Sequence, residues 1–574
     1  MCLYSLSFSD SIQMPPTPPK NSNTSAKAPK FTFISASLPR PLALSALCIA
    51  LLIMLPIGAV VFEVFTGSLG VLKHLYSTVL TDYIVNSLLL MLGVGCGVIV
   101  VGVPSAWLTS RYDFPGKTIF VWALLLPLAI PAYIIGYTYT GMLDFAGPVQ
   151  TLIRELTGWQ YGEYWFFNIR SLGGAVIMFT LVLYPYVYLL ARAAFIEQSP
   201  SITEVSRTLG CSTKRTFFLV NIPMARPAIV TGLTLALMET LADYGTVQYF
   251  GVSTFTTGIF RVFYGFGDTA AAAQLASFLL GFIALLIFLE RHSRKQSRYH
   301  HALGKPAQAH RLSGAKAFFA IFVCAVPVIF GFMIPFLQLL LWAILESKID
   351  YNFLHLAWNS LYLAAMAGCI AVLLALLLAY AKRVHQRSRA VKVSVSLAGL
   401  GYALPGTIIA IGVITPLAWF DNQLIDFIKS SFDMDIQLLL SSTIVALLFA
   451  YTVRFLAVSL GAIESGMQQI KPNIDQAARL LGYRPLAVLK RIHLPLLKGS
   501  ILTAFLIVFV DTLKELPATL MLRPFNFDTL AVKAYELASD ERLIDAAPSS
   551  LLIVLVGLIP VILLSRSIKL RTKP

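Results

Sequence analysis

The sequence is poor in charged residues. Only 13% of its 574 residues are Asp, Glu, Lys or Arg, while 57% are hydrophobic; a soluble domain carries about 25% charged residues. Twelve stretches reach the roughly 20 apolar residues that a helix needs to cross a bilayer. The sequence therefore predicts an all-α polytopic membrane protein with about 12 transmembrane helices. The expected spans are 41–66, 83–108, 118–143, 171–195, 227–250, 270–289, 316–345, 356–381, 393–419, 437–462, 497–520 and 548–565.

Signatures of bound cofactors are also missing. The six cysteines are scattered and none lies in a C-x-x-C or other ligand spacing, so we expect neither a disulfide framework nor a metal site. No G-x-x-x-x-G-K-[ST] sequence occurs, which excludes a P-loop nucleotide site on this chain. We therefore expect no catalytic residue and no cofactor on the chain itself.

The net charge of +16 is high enough to suggest nucleic-acid binding, but its distribution argues against that class. If the N-terminus is cytoplasmic, most of the 44 Lys and Arg residues fall on the cytoplasmic side of the predicted spans. This is the positive-inside rule. We expect contact with a lipid bilayer, no nucleic-acid partner, and both termini in the cytoplasm.

The sequence contains one polar stretch of about 25 residues twice, and internal repeats decide architecture. The copies are 200–223 and 472–495, related by one constant offset and placed between the fourth and fifth spans of each six-span half. Because an even number of spans separates them, the halves share one orientation and form a parallel repeat. The predicted organisation is a disordered cytoplasmic tail 1–40, a first repeat 41–290, a basic cytoplasmic linker 291–315 and a second repeat 316–574.

Each copy has the pattern of a helix, a glycine turn and a second short helix. The first helix is expected to open with a capping box, in which Glu or Gln follows the N-cap residue at the third position. These pairs are Ser201 with Glu204 and Asn473 with Gln476. Gly210 and Gly482 are expected to close that helix as C-caps. Pro223 and Pro495 are expected to end the second helix, since proline cannot continue a regular helix.

Carboxylates inside predicted spans are costly and are therefore candidates for function. The fifth and eleventh spans carry two each, Glu239, Asp243, Asp511 and Glu515. Each pair is spaced i,i+4 and shares a helix face, and the repeat brings all four towards one central axis. In a structural interpretation they pair with Arg454 and Lys514 and fix the packing. In a functional one they line or gate a path for a cation, because carboxylates suit hard metal ions.

The second copy of the loop resembles the cytoplasmic signature of type I importer permeases of the ABC transporter superfamily. That signature is Glu-Ala-Ala, three further residues, a glycine, and then Ile-x-Leu-Pro. Gln476, Ala477, Ala478, Gly482 and the segment ending at Pro495 match it, with Gln in place of Glu.

The first copy matches the signature more loosely. Glu204, Gly210 and Pro223 are kept, while Val205 and Ser206 replace the two alanines. In the family this loop is the coupling helix, which lies in a groove of the ATPase and transmits its closure. The resemblance implies the same role for both copies, and the fold of a type I permease.

With two such halves in one chain, the sequence resembles the fused permeases of ferric iron importers, through 239–245, 514–519 and 530–535. This resemblance implies a non-enzymatic transport subunit of a bacterial inner membrane that carries Fe(III). It also implies a homodimeric ABC ATPase that binds ATP and Mg²⁺, and a periplasmic substrate-binding protein. Permeases for thiamine, phosphonate or polyamine share the architecture and remain alternatives. From another class, an ion-gradient-driven secondary transporter would use the four carboxylates as ion sites.

Overall fold

The computed structural model describes residues 40–66, 74, 77–160, 162–198, 206, 208–295, 310–346, 352–433, 438–441 and 443–572. The first half contains helices α1 Arg40–Thr66, α2 Leu80–Arg111, α3 Lys117–Ala123, α4 Ala132–Leu143, α5 Pro148–Thr157, α6 Leu172–Glu197, α7 Thr213–Thr216, α8 Ile222–Ala242, α9 Gly245–Tyr249, α10 Phe255–Phe260 and α11 Thr269–Lys295. The predicted tail, apart from Arg40, lies outside the described residues.

The second half repeats this order. Its helices are α12 Ala315–Val328, α13 Ile334–Leu341, α14 Phe353–Val384, α15 Arg389–Ala398, α16 Gly406–Phe432, α17 Ile444–Gln469, α18 Pro472–Leu480, α19 Pro485–Val488, α20 Leu494–Leu496, α21 Lys498–Leu513, α22 Pro517–Leu522, α23 Leu530–Ser539 and α24 Leu543–Thr572. Short 3₁₀ segments cover Leu126–Ala129 and Gly401–Ala403, and π segments cover Phe217–Asn221, Arg261–Phe266, Ile329–Met333, Trp342–Glu346 and Leu489–His493.

One small sheet joins the end of the first half's second span to the segment that connects the halves. Strand β1 Tyr112–Asp113 pairs in parallel with strand β2 His310–Arg311. Helix α11 continues to Lys295, past the predicted end of the first repeat, and α12 begins at Ala315. The rest of the predicted linker, 296–309, lies outside the described residues.

The predicted class of polytopic helical membrane protein is confirmed. In the described part of the chain, 10 helical stretches are long and apolar enough to cross a membrane, and two bent pairs raise the number to 12. Those pairs are Lys117–Ala129 with Ala132–Thr157, bent by 90°, and Pro485–Leu496 with Lys498–Leu513, bent by 76°. The first bend divides the predicted span 118–143, whereas the second lies at the start of the predicted span 497–520.

Two equivalent prolines explain where the third and ninth predicted spans are interrupted. Pro131 precedes α4 and Pro405 precedes α16, and each occupies the N-cap position. The residue before a proline is sterically driven out of the α region. Accordingly Ile130 and Leu404 are extended, with ψ angles of 120° and 132°. The predicted continuous helix 393–419 is thus divided between α15 and α16.

Pro223 does not end a helix, which corrects the sequence-based expectation. A continuous helical stretch runs from Lys214 to Ala242, and Pro223 lies in the first turn of α8. The preceding turn is a π segment, in which the amide of Ile222 bonds to the carbonyl of Phe217. The wider π turn accommodates a residue that lacks an N–H group and would collide with the carbonyl of a regular helix.

The outer spans of each half pack against the opposite half. Helix α1 contributes to a core with α14, α16 and α17, and α11 packs directly on α16. Conversely, α12 packs against α2, and α24 packs against the Leu126–Ala129 segment and α4. Both hydrophobic cores therefore contain side chains from both halves, so neither half buries its apolar surface alone.

Gly412 marks one of these crossings and generates a prediction. A Cβ atom at this position of α16 would lie 2.3 Å from the backbone oxygen of Pro56 in α1. We expect Gly412→Ala to separate the two helices and to cost about 1–3 kcal/mol, the usual cost of overpacking. The measurement is the thermal unfolding of the purified protein in detergent. Gly461→Ala, at a helical glycine with open space around it, is the matched control and should not be destabilising.

Candidate functional site

All four in-span carboxylates line one central cavity of about 110 Å³ between the two halves. The helices of the fifth and eleventh spans supply Glu239, Asp243, Asp511 and Glu515. The cavity also contains Arg454 and Lys514, the partners considered in the structural interpretation. Tyrosines from the third, fourth and ninth spans complete its polar lining, Tyr133, Tyr186 and Tyr402.

The cavity exists because both acidic spans are broken at the same place. Helix α8 ends at Ala242 and α9 begins at Gly245, while α21 ends at Leu513 and α22 begins at Pro517. Each break exposes backbone amides at the start of a new short helix. Such groups need a partner in a membrane, where water is absent from the surrounding hydrocarbon.

Equivalent carboxylates satisfy those amides. Asp243 accepts hydrogen bonds from the backbone N–H of Thr246 at 2.8 Å and from its hydroxyl at 3.0 Å. Glu515 accepts from the backbone N–H of Ala518 at 3.0 Å. Each acid lies directly before the N-cap residue of the helix that follows the break, Tyr244 or Leu516, and its carboxylate satisfies an amide in the first turn of that helix.

Two ion pairs within the second half neutralise part of the acidic charge. Arg454 Nη1 lies 3.1 Å from Glu515 Oε1, and their side chains are only 10% and 4% exposed. Lys514 Nζ lies 2.8 Å from Asp511 Oδ1. A Cβ at Gly406 would lie 2.3 Å from Glu515 and 2.5 Å from Arg454, so this glycine leaves the room that the buried pair needs.

Glu239 differs from the other three acids. It lines the cavity and lies in electrostatic range of Arg454 and Lys514. It makes no hydrogen bond or ion pair with any residue that the structure describes. Glu239 is therefore the one of these four carboxylates without a hydrogen-bonded or ionic partner among the described residues.

The two halves contribute unequally to the charge of the cavity. Under the repeat, Arg454 corresponds to Val182 and Lys514 corresponds to Ala242, and both of these smaller residues also line the cavity. The first half thus supplies two acids and no base, while the second supplies two acids and two bases. Four acids against two bases leave the cavity with an excess of acidic groups.

The carboxylates do not form a chelating cluster in this conformation. Within the described residues, no three His, Cys, Asp or Glu side chains lie close enough together to hold a metal ion. The arrangement offers separate oxygens along a polar space, which differs from the closed ligand set that binds a hard cation tightly.

The repeated loop 472–495 has the predicted glycine turn but a different start. The amide of Tyr483 bonds to the carbonyl of Ala478 and that of Gly482 to Arg479, with φ of 81° at Gly482, which is a Schellman C-cap. The N-cap is Lys471 with Pro472 at the first helical position, so the expected cap by Asn473 is wrong. Proline fixes φ at a helical value and lacks a donor that this position leaves unpaired, which explains the earlier start.

In the first copy, Gly210 adopts the same turn, with φ of 82° and a hydrogen bond from Cys211 N to Ser206 O. Glu204 lies outside the described residues. Gln476 and Ala477 are exposed on α18, whereas Ala478 is buried. The chain also turns at the end of the second copy, where the 76° bend follows Pro495.

Sequence reasoning missed the apolar surface of these loops. Leu209 and Leu481, which directly precede the two glycines, are 67% and 77% exposed, and Leu480 is 89% exposed. Large exposed apolar side chains outside the spans are typical of a docking surface. The aligned Leu-Gly pairs in the two copies are the signal from which they could have been found.

Sequence reasoning also missed how each loop is anchored. Arg383 at the end of α14 donates to the carbonyl of Ile470 at 2.9 Å and to the carboxylate of Asp475 at 2.7 Å. In the first half, Arg111 at the end of α2 donates to the carbonyl of Gln198 at 3.3 Å. In both halves an arginine therefore connects the second span to the start of the repeated loop.

A comparison with protein families identifies this architecture. The family described as the binding-protein-dependent transport system inner membrane component matches residues 40–298 and again residues 371–570. The chain belongs to this family. Its two matches correspond to the two halves, and the permease is a multi-pass inner-membrane protein with two type I permease repeats.

Relatives of the permease match different shares of the chain. The permease is 28% identical to the Fe(3+)-transport system permease protein FbpB 2 of Haemophilus influenzae, over 85% of this chain and 90% of that protein. It is 26% identical to the ferric transport system permease protein FbpB of Actinobacillus pleuropneumoniae, over 78% and 65%. The molybdenum transport system permease protein ModB of Escherichia coli K12 is 27% identical, over 38% of this chain and 99% of its own length.

The buried pair of the permease generates a prediction. Arg454→Met leaves Glu515 as an uncompensated buried charge, and we expect a loss of about 3–5 kcal/mol in the free energy of unfolding. The double variant Arg454→Met/Glu515→Gln should recover part of this loss because the buried charge is removed. Thermal or chemical unfolding of the wild type, the single variants Arg454→Met and Glu515→Gln, and the double variant in one detergent gives the coupling energy. Additive losses would contradict a direct interaction.

Proposed function

We propose that this permease imports Fe(III), driven by ATP hydrolysis on separate subunits. The observation that supports Fe(III) as the substrate is the excess of carboxylates in the central cavity. This excess suits a hard cation and repels an oxyanion. The similarity to ferric permeases over both halves supports the same choice. The molybdenum permease matches over little more than a third of the chain.

The loops 200–223 and 472–495 are the coupling elements. Each ends a helix with a rigid glycine turn and presents an exposed leucine beside it, Leu209 or Leu481. Two such loops in one chain match a homodimeric ABC ATPase, which offers one binding groove per subunit and binds ATP and Mg²⁺. This role places both loops and both chain termini in the cytoplasm, as the distribution of Lys and Arg favours.

The opposite ends of the spans would then face the periplasm and receive a substrate-binding protein. On that side Arg170 bridges the halves, 3.4 Å from Asp144 and 3.3 Å from Glu541. These exposed ion pairs are individually weak. A docking partner or a movement of the halves can therefore rearrange them at low cost.

Transport requires that the cavity open alternately to each side. Because the outer spans of each half pack on the other half, ATPase closure acting on two coupling loops moves both cores together. Asp243, Asp511 and Glu515 keep their partners and maintain the helix breaks. Glu239, which has no such partner among the described residues, contacts the ion in transit. The ion can leave because no chelating cluster forms in the described part of the chain.

Uptake of radiolabelled iron tests this proposal. A strain lacking the gene should lose uptake under iron limitation and regain it with the wild-type gene. We expect Glu239→Gln to reduce the rate at least tenfold while leaving the melting temperature of the purified protein unchanged, because no contact is lost.

Asp511→Asn is the matched variant, since Asp511 is the counterpart of Glu239 in the repeat but pairs with Lys514. It should lower the melting temperature as well as uptake. If the Glu239→Gln variant transports iron at the wild-type rate, Glu239 does not contact the ion during transport. Unaltered iron uptake in the deletion strain, with no second importer present, would remove Fe(III) as the substrate.

The coupling role gives a separate prediction. Leu481→Asp adds a charge to a side chain that is 77% exposed in the permease, so folding should be unaffected. We expect weaker binding of the ATPase, because the apolar contact is lost and a charge must be desolvated. Co-purification of the ATPase and its permease-stimulated hydrolysis are the measurements. Leu354→Asp, at a similarly exposed leucine near the start of α14, is the control and should leave ATPase binding intact.

A further inference from the structure

Arg192, near the end of α6, is a buried cation for which the described residues supply no counter-ion. The residue is only 8% exposed, and its Nε atom is fully buried without a hydrogen-bond partner. Across the described part of the chain, its guanidinium makes no hydrogen bond or ion pair. An unpaired charge at this level of burial is costly unless an anion from outside the chain neutralises it.

The surroundings of Arg192 add to its positive charge. Lys117, the first residue of α3, lies in electrostatic range of Arg192 and is itself half-buried. The acid in range of Lys117 is Asp113, which is 50% exposed and pairs with Arg311 at 3.8 Å. The hydroxyl of Tyr188, also near Arg192, donates to the carbonyl of Val121. None of these groups neutralises Arg192.

The equivalent position in the second half carries a charged residue that has a counter-ion. Under the repeat, Arg192 corresponds to Glu464 in α17. Both carboxylate oxygens of Glu464 lie 2.8 Å from Nζ of Lys382, on the neighbouring α14. The same position thus carries a charge in both halves, and among the described residues that charge is paired in the second half and unpaired in the first.

The place of Arg192 in the fold indicates the chemistry of the missing partner. It lies about one and a half turns before the end of α6 that leads to the repeated loop. Ile196 on α6 and Ile119 on α3 are 40% and 59% exposed, so the two helices that carry Arg192 and Lys117 also present apolar side chains. Basic side chains grouped between membrane helices on the cytoplasmic side are typical of a site for a phospholipid headgroup, and guanidinium binds phosphate in a bidentate manner.

We propose that Arg192, assisted by Lys117, binds the phosphate of an anionic phospholipid. The leaflet follows from the proposed orientation, which makes it the cytoplasmic one, close to a coupling loop. The site itself requires neither transport nor ATP. If no lipid binds at Arg192, the proposed transport function is unaffected. If the proposed transport function is wrong, the lipid site is equally unaffected.

Native mass spectrometry of the purified full-length permease in detergent, titrated with phosphatidylglycerol, tests the proposal. We expect Arg192→Gln to weaken binding of the tightest lipid roughly fivefold, the effect of one basic side chain at an anionic membrane surface. Arg389→Gln, an exposed cation at the start of α15 in the second half, is the control and should change nothing. Lys117→Gln gives a second measurement if Arg192→Gln does not fold.

Equal lipid affinity in the Arg192, Lys117 and Arg389 variants would overturn the proposal. Inorganic phosphate and phosphatidylcholine are tested as further ligands of the same protein. If inorganic phosphate raises the melting temperature of the wild type as much as phosphatidylglycerol does, the site takes a free anion and the lipid is excluded. If Arg192→Gln keeps its lipid but loses ATPase binding, the counter-ion is a carboxylate of the partner protein, and the lipid assignment falls.

Discussion

Backbone hydrogen bonding inside a membrane is the constraint on which the central cavity depends. A helix that stops partway across a bilayer leaves amides without partners, and each costs several kcal/mol in hydrocarbon. Here two spans stop at equivalent places, and Asp243 and Glu515 supply the missing acceptors. Burying Glu515 then requires a cation, which Arg454 provides, and that pair in turn requires Gly406 on the neighbouring helix. The local charges thus follow from the broken backbone.

The exchanged outer spans impose a second constraint on movement. Since α1 and α11 belong to a core with the second half, and α12 and α24 to a core with the first, the halves cannot separate as independent bodies. Packed helices shift between discrete arrangements and do not deform continuously. A movement of one half would therefore carry helices of the other half with it.

The sequence predicted those features that depend on local chemistry. Hydrophobic length predicted the spans, because a bilayer imposes a minimum length on any helix that crosses it. Gly210 and Gly482 were predicted as helix ends because an αL residue is needed there and glycine adopts it without strain. The in-span charges directed attention to one region, and the structure brings the four acids and two bases into a single cavity.

Features set by tertiary packing could not be predicted in this way. The role of Pro223 depends on a π turn, which has no distinctive sequence pattern. The residues before Asp243 have the pattern of a continuous helix, so the sequence does not show that the helix ends there. The Asp243 carboxylate replaces the missing backbone hydrogen bonds only in the folded chain. The space at Gly406 and the unpaired state of Glu239 depend on contacts between distant segments, for which a single sequence carries no signal.

The unequal halves also determine which assemblies can build this cavity. Two copies of the first half would bring four carboxylates together with Val182 and Ala242 in place of the bases, and their repulsion would be uncompensated. Two copies of the second half would match four carboxylates with four cations and leave no acidic excess. One first half together with one second half gives four carboxylates and two cations, which is a charge between those two cases. Joining the halves in one polypeptide fixes that one-to-one ratio at synthesis, so the composition of the path does not depend on how separate subunits happen to associate.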